Sequence, residues 1–238
     1  MQCKSKRFAS LHGAIALFVA IELTLGVLLQ TASGRATAVY SYAVVVLACL
    51  FCILFFARSV PYACTQAALV CTVCADYFLV WSQTQRQLPA MIFFSITQLA
   101  YFARIYWECR DRRIRVWHLA SRLAICVVAI ILPLAVLGSG ADALALVSMF
   151  YYANLIWNIL FACLFHKRNW LLIVGLILFL CCDTVVGLSC LEPYFAIPQG
   201  SVLYRIIYPG FNLAWVFYVP SQVLLALSLY PCKCTKAK

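Results

Sequence analysis

Residues Trp170–Cys190 read WLLIVGLILFLCCDTVVGLSC, an unbroken apolar run of twenty-one positions with Asp183 as its one charge. As a helix such a run reaches about 30 Å, the thickness of a bilayer's hydrocarbon core. It is continuous rather than alternating, which excludes a transmembrane barrel strand. Seven more runs lie outward from it: Leu11–Leu29, Ala38–Phe56, Val60–Trp81, Leu88–Trp107, Trp117–Leu137, Leu144–Phe165 and Pro209–Leu229. The pattern predicts an all-α polytopic membrane bundle of eight transmembrane helices, one domain over residues 1–238 with short tails at 1–10 and 231–238.

Composition agrees. The chain of 238 residues is 66% hydrophobic and 11% charged, against about 25% charged in soluble proteins. A water-soluble fold cannot hide that much apolar surface, and disorder is excluded on the same ground. The net charge of +11 reads as membrane topology rather than as a nucleic-acid partner. With the N-terminus in the cytoplasm, fourteen basic residues face inward: Lys4, Lys6, Arg7, Arg58, the five arginines from Arg110 to Arg122, Lys167, Arg168, and Lys233, Lys236 and Lys238. Arg35, Arg86 and Arg205 face outward, as do Asp142 and Glu192. An odd number of spans would spoil this asymmetry, so both termini are expected on the cytoplasmic side. The first run is too long for a signal-peptide core and carries Glu22, so it counts as a span. The sequence leaves the membrane open, endoplasmic reticulum or plasma membrane.

The fourteen cysteines fall mostly inside apolar helices, where Cys behaves as a small hydrophobe. Cys49/Cys52 and Cys71/Cys74 have C-x-x-C spacing without the second pair or histidines of a zinc site. Cys232 and Cys234, beside lysines, fit acylation sites.

Chemistry is expected where charge is costly. An aspartate within a span costs about 2.5–3.5 kcal/mol on insertion scales, which makes each one a functional candidate. Asp76 lies about sixteen residues into the third run and Asp183 about fourteen into the seventh. The two helices are four steps apart in the order of spans, so they run in the same direction and set both carboxyls at similar depth. Two carboxyls in one low-dielectric cavity tend to divide the roles, one protonated and one ionised, as a general acid and base require. Partners recur in the helix that follows each. Gln98 and Tyr101 are spaced i, i+3 in the fourth, and Tyr218 and Gln222 i, i+4 in the eighth, each pair on one face. That recurrence points to a four-plus-four parallel repeat about an axis along the membrane normal. Asn154, with Asn158 at i, i+4, joins the candidate cavity or a neighbouring helix, and Glu22 is a cavity-lining or structural acid. For the glutamines and Tyr101, helix-to-helix glue is an equal reading. His12, His118 and His166 sit near helix ends, so neither a metal cluster nor a Ser-His-Asp set is expected. The expected chemistry is cofactor-free acid–base work by carboxyls.

Two blocks carry a family likeness. Ala68-Leu69-Val70-Cys71-Thr72-Val73-Cys74-Ala75-Asp76-Tyr77-Phe78-Leu79-Val80-Trp81, followed by Phe93-Phe94 and Gln98-Leu99-Ala100-Tyr101, resembles the first signature of the lysoplasmalogenase-like (YhhN-like) membrane proteins. Gly175 to Asp183, followed by Tyr218-Val219-Pro220-Ser221-Gln222, resembles the second. The resemblance spans about residues 40–230 and departs from the family's pattern at Ala75, Cys182 and Gln98, where Gly, Ser and His are usual. It implies a hydrolase that cleaves the vinyl-ether bond of lysoplasmalogen, releasing a fatty aldehyde and glycerophospho-ethanolamine or -choline. Asp76 and Asp183 would be catalytic, with Gln98, Tyr101, Tyr218, Gln222, Asn154 and Glu22 around the lysophospholipid. The alternatives are a lipid-binding or proton-coupled carrier and an inactive relative. A carrier needs interrupted helices at the site, for which Pro133 and Pro220 are the candidates.

Overall fold

The computed structural model describes residues 2–56, 59–82, 86–167, 169–189, 198–207 and 211–230. Arg58, Arg168, Glu192, Cys232, Cys234 and the C-terminal lysines lie outside these residues. So do residues 191–197 and 208–209 of the Leu191–Pro209 connection, the tail 231–238 and the side chains of Lys4, Lys6 and Arg7. The described residues are helical throughout, with turns between and no strand. In lipid, a helix is the way for a single segment to satisfy its own backbone.

The helices are α1 (Gln2–Thr31), α2 (Arg35–Phe55), α3 (Val60–Asp76), α4 (Gln87–Glu108), α5 (Arg112–Leu137), α6 (Ala143–Phe165), α7 (Trp170–Ser189), the short α8 (Val202–Ile207) and α9 (Leu213–Leu227). Seven are long and apolar enough to cross a membrane, which makes this a multi-pass membrane protein. The eighth expected span is α9, shorter than expected. Its fifteen residues reach about 22 Å, because Phe211 and Asn212 precede the helix and a turn follows Leu227. At the other end of the chain, α1 begins at Gln2, so residues expected as a tail continue the first helix.

Boundaries follow local chemistry. Ser59, Asp111 and Asp142 cap α3, α5 and α6, their side chains accepting from the backbone N–H groups of Tyr62, Arg113 and Ala145. Gly138 closes α5 at φ +54°, a conformation that favours glycine.

Six helices form a closed ring, each packed on the next in the order α2, α3, α4, α6, α7, α9 and back to α2. Outside it, α1 lies on the α9–α2 seam and α5 packs on α6. The two outer helices are seated alike. Phe18 of α1 stacks on Phe51 of α2, centroids 4.2 Å apart and planes at 8°. His118 of α5 stacks on Phe161 of α6 at 3.6 Å and 10°. Helix α7 packs closely on α9: a Cβ placed on Gly175 would stand 3.0 Å from the Leu225 side chain and 3.2 Å from its backbone nitrogen.

At one end of the ring Arg104 binds helices together. Its guanidinium donates to Thr65 Oγ1 (2.8 Å), Ser228 Oγ (2.6 Å) and the Ser228 carbonyl (2.9 Å), and Nε pairs with Glu108 (3.2 Å), which also meets His166. Arg122, counted above among the flanking charges, is buried inside the bundle instead. It donates to Asn158 Oδ1 at 2.8 Å and lies over the Phe102 ring at 4.1 Å.

Candidate active site

The end of the bundle opposite Arg104 holds a cavity of about 700 Å³, and both Asp76 and Asp183 line it. Asp76 is the last residue of regular α3. After it the helix widens into a π-turn, Tyr77–Trp81, a feature common at functional sites because it re-aims the side chains beside it. Asp183 stands in α7 one residue after Cys182, which also lines the cavity.

Each carboxyl accepts a hydrogen bond from a tyrosine on another helix. Tyr218 of α9 donates to Asp76, and Tyr151 of α6 donates to Asp183. Both tyrosines are nearly fully buried and are braced by an arc of rings. Tyr218 meets Phe179 (6.4 Å), Phe179 meets Phe94 (5.9 Å), and Phe94 meets Tyr151 (5.5 Å). Such edge and tilted contacts fix ring orientation, so each hydroxyl is held on its carboxylate. Beyond the carboxyls the walls are apolar, including Leu79, Met91, Leu132, Val136, Met149 and Val186, with Thr37, Gln87 and Asn212 among the polar lining groups. No Lys, Arg or His is among the described lining residues.

Of the site residues expected from sequence, the cavity brings together Asp76, Asp183 and Tyr218. Gln98, Asn154 and Gln222 lie about one helical turn deeper, towards Arg104, Tyr101 about two, and Glu22 is buried on α1 outside the cavity lining. Gln98 is buried and accepts from Asn158 Nδ2 at its side-chain oxygen (3.1 Å) and its carbonyl (2.9 Å). Asn154 donates to the Phe150 carbonyl at 2.6 Å. Tyr101 is buried with an unpartnered hydroxyl, Gln222 with both amide atoms unpartnered, and Glu22, on α1, with both carboxyl oxygens unpartnered. Together these form a polar layer beneath the cavity rather than its wall. Sequence reading missed Tyr151, Phe94 and Cys182. For Tyr151 a signal existed, since it precedes Asn154 by three and Asn158 by seven and so shares their face.

The fold and the cavity together define a polytopic α-helical membrane protein with a buried two-carboxyl site. The YhhN family model matches residues 44–229, and the chain belongs to that family, the lysoplasmalogenase-like membrane proteins. No curated protein and no solved structure matches the chain.

Proposed function

We propose that the protein hydrolyses the vinyl-ether bond of a lysoplasmalogen, with Asp76 and Asp183 as the acid–base pair. The observation that carries this reading is the placement of two carboxyls, from helices of the same direction, on one apolar-walled cavity, each braced by a tyrosine. Family membership supplies the substrate class.

Hydrolysis of a vinyl ether starts with proton transfer to the alkenyl carbon distal to oxygen, which generates an oxocarbenium ion. One carboxylic acid gives that proton; the other, as carboxylate, stabilises the cation and takes a proton from the attacking water. The hemiacetal formed collapses to aldehyde and the glycerol hydroxyl. The pair ends with its one proton on the opposite carboxyl. Tyr151 and Tyr218 each occupy one oxygen of their partner, leaving the other oxygen for the substrate.

The same reading holds that the two halves are a four-plus-four repeat. The alike seats of α1 and α5 support it, as does the register of burial: Thr65, Ala68, Leu69, Thr72 and Ala75 of α3 are buried, and so are Leu172, Gly175, Leu176, Phe179 and Cys182 of α7 at the same spacing. It also holds that the termini are cytoplasmic, which sets the cavity at the outer end of the bundle. A carrier draws support from the π-turn beside Asp76, an interrupted helix at the site.

The deciding experiment is aldehyde release from lysoplasmenyl-ethanolamine by the purified protein in detergent, beside Asp76→Asn and Asp183→Asn. Release by the wild type that either change abolishes, with the melting profile kept, is the expected result. Bound lysolipid without aldehyde would move the reading to a carrier or an inactive relative.

A further inference from the structure

The two outer helices sit alike but close their seams differently. On the first, α1 meets α9 as far as the cavity end. A Cβ on Gly26 would touch Val219 at 3.5 Å, and beyond it the Gln30 side chain bridges the Asn212 backbone, donating to its carbonyl at 3.4 Å and accepting from its N–H at 3.1 Å. On the second, the contacts between α5 and α4 lie at the Arg104 end. His118 meets Phe102 at 4.8 Å, and Arg122 reaches the Gln98 carbonyl at 3.5 Å. Matching Glu22 with Arg122 and Gln222 with Gln98 sets Ile130 and Leu88 where Gln30 and Asn212 stand, so the side chain that latches the first seam has an apolar counterpart in the second.

Past Gln98 and Arg122, Met91 and Phe94 of α4 and Leu132, Pro133 and Val136 of α5 line the cavity. Leu132 and Val136 are 45% and 62% exposed, so helix packing does not cover the cavity wall along this seam. Pro133 lacks a backbone N–H to give α5's hydrogen-bond ladder at that level.

We propose that the cavity end of the α4–α5 seam is the slot by which a single-chain ether lipid enters from the bilayer, and that its hydrocarbon chain lies there during reaction. The identity of the occupant rests on the hydrolase reading. The chemistry of the slot agrees with a chain rather than a headgroup: its walls are apolar, they run without interruption into the carboxyl cavity, and among the described residues no cation lines them to hold a phosphate.

The test is photolabelling of the wild-type protein in nanodiscs with a saturated 1-O-alkyl lysophosphatidylethanolamine carrying a diazirine at the chain end, with the adducts mapped by mass spectrometry. Adducts in residues 87–94 and 129–137 that excess unlabelled lysolipid competes away are expected. Adducts at 26–30 and 212–219 instead, or labelling of the slot that competition leaves unchanged, overturn the slot. Val136→Trp, which fills the seam, is expected to lower the competed labelling about tenfold, while Gln30→Ala on the closed seam leaves it unchanged; equal labelling of Val136→Trp also overturns it. The two readings fail separately. Slot adducts without aldehyde from the vinyl-ether lipid keep the slot and remove the hydrolase, and aldehyde with adducts at the α1–α9 seam does the reverse.

Discussion

The tyrosine on each carboxyl is the residue-scale feature with the clearest consequence. A hydrogen bond to a charged group is worth about 1.5–3 kcal/mol, so Tyr218→Phe and Tyr151→Phe are each expected to lower kcat about ten- to a hundredfold. Binding of a non-cleavable alkyl lysolipid should barely change, since the ring and its packing on Phe179 or Phe94 remain. Steady-state kinetics beside a binding isotherm check this; equal loss in both would make the tyrosines structural. Asp76 and Asp183 were legible in the sequence because a carboxyl inside an apolar run has no cheap structural use. Tyr151 was not, because a tyrosine in a membrane helix packs as readily as it reacts, and its partner lies thirty-two positions away. Gln98, Asn154 and Gln222 were legible as polar, but spacing along a helix fixes a face and not a depth. Hence they fell in the layer beneath the cavity.

At the scale of elements, hydropathy located the spans well, since each must bury about the same length of backbone. It located ends less well, because capping decides them. Asp111 starts α5 five residues before the apolar run at Trp117, which carries His118 and Arg122 inside the bundle. The π-turn after Asp76 leaves no compositional trace either. The α7–α9 contact makes the element-scale prediction. Gly175 lies against α9, and no larger residue fits without moving Leu225, side chain and backbone. Gly175→Val should therefore cost about 1–3 kcal/mol and shift Asp183 relative to Tyr218, lowering both the melting temperature in detergent and the turnover. Gly13→Ala, in α1 with nothing within 4 Å of its Cβ, should leave both unchanged. A Gly175→Val protein that melts and turns over like the wild type would mean that the two helices slide freely.

For the whole molecule, the ring of six helices explains why a short α9 suffices. It is enclosed by α1, α2 and α7, so packing rather than lipid satisfies its surface. The ring also gives the bundle two unlike ends, one bound by Arg104, Glu108 and His166 and the other hollowed by the cavity. Charge orients them. Arg110, Arg112, Arg113 and Arg115 crowd the start of α5 at the Arg104 end, whereas the turn from Gly138 to Asp142, at the cavity end, carries no cation. The positive-inside bias then predicts Arg104 towards the cytoplasm and the cavity mouth towards the opposite face; on the hydrolase reading, substrate would reach the carboxyls from the outer or lumenal leaflet. Glycosylation mapping reads this directly. An Asn-x-Thr acceptor in a short polar insert at Ser139 is expected to be glycosylated in microsomes, and the same insert at Arg110 is not. The reverse pattern would put the cavity in the cytoplasmic leaflet, and with it the source of the lipid, while leaving the carboxyl pair and its chemistry as they are.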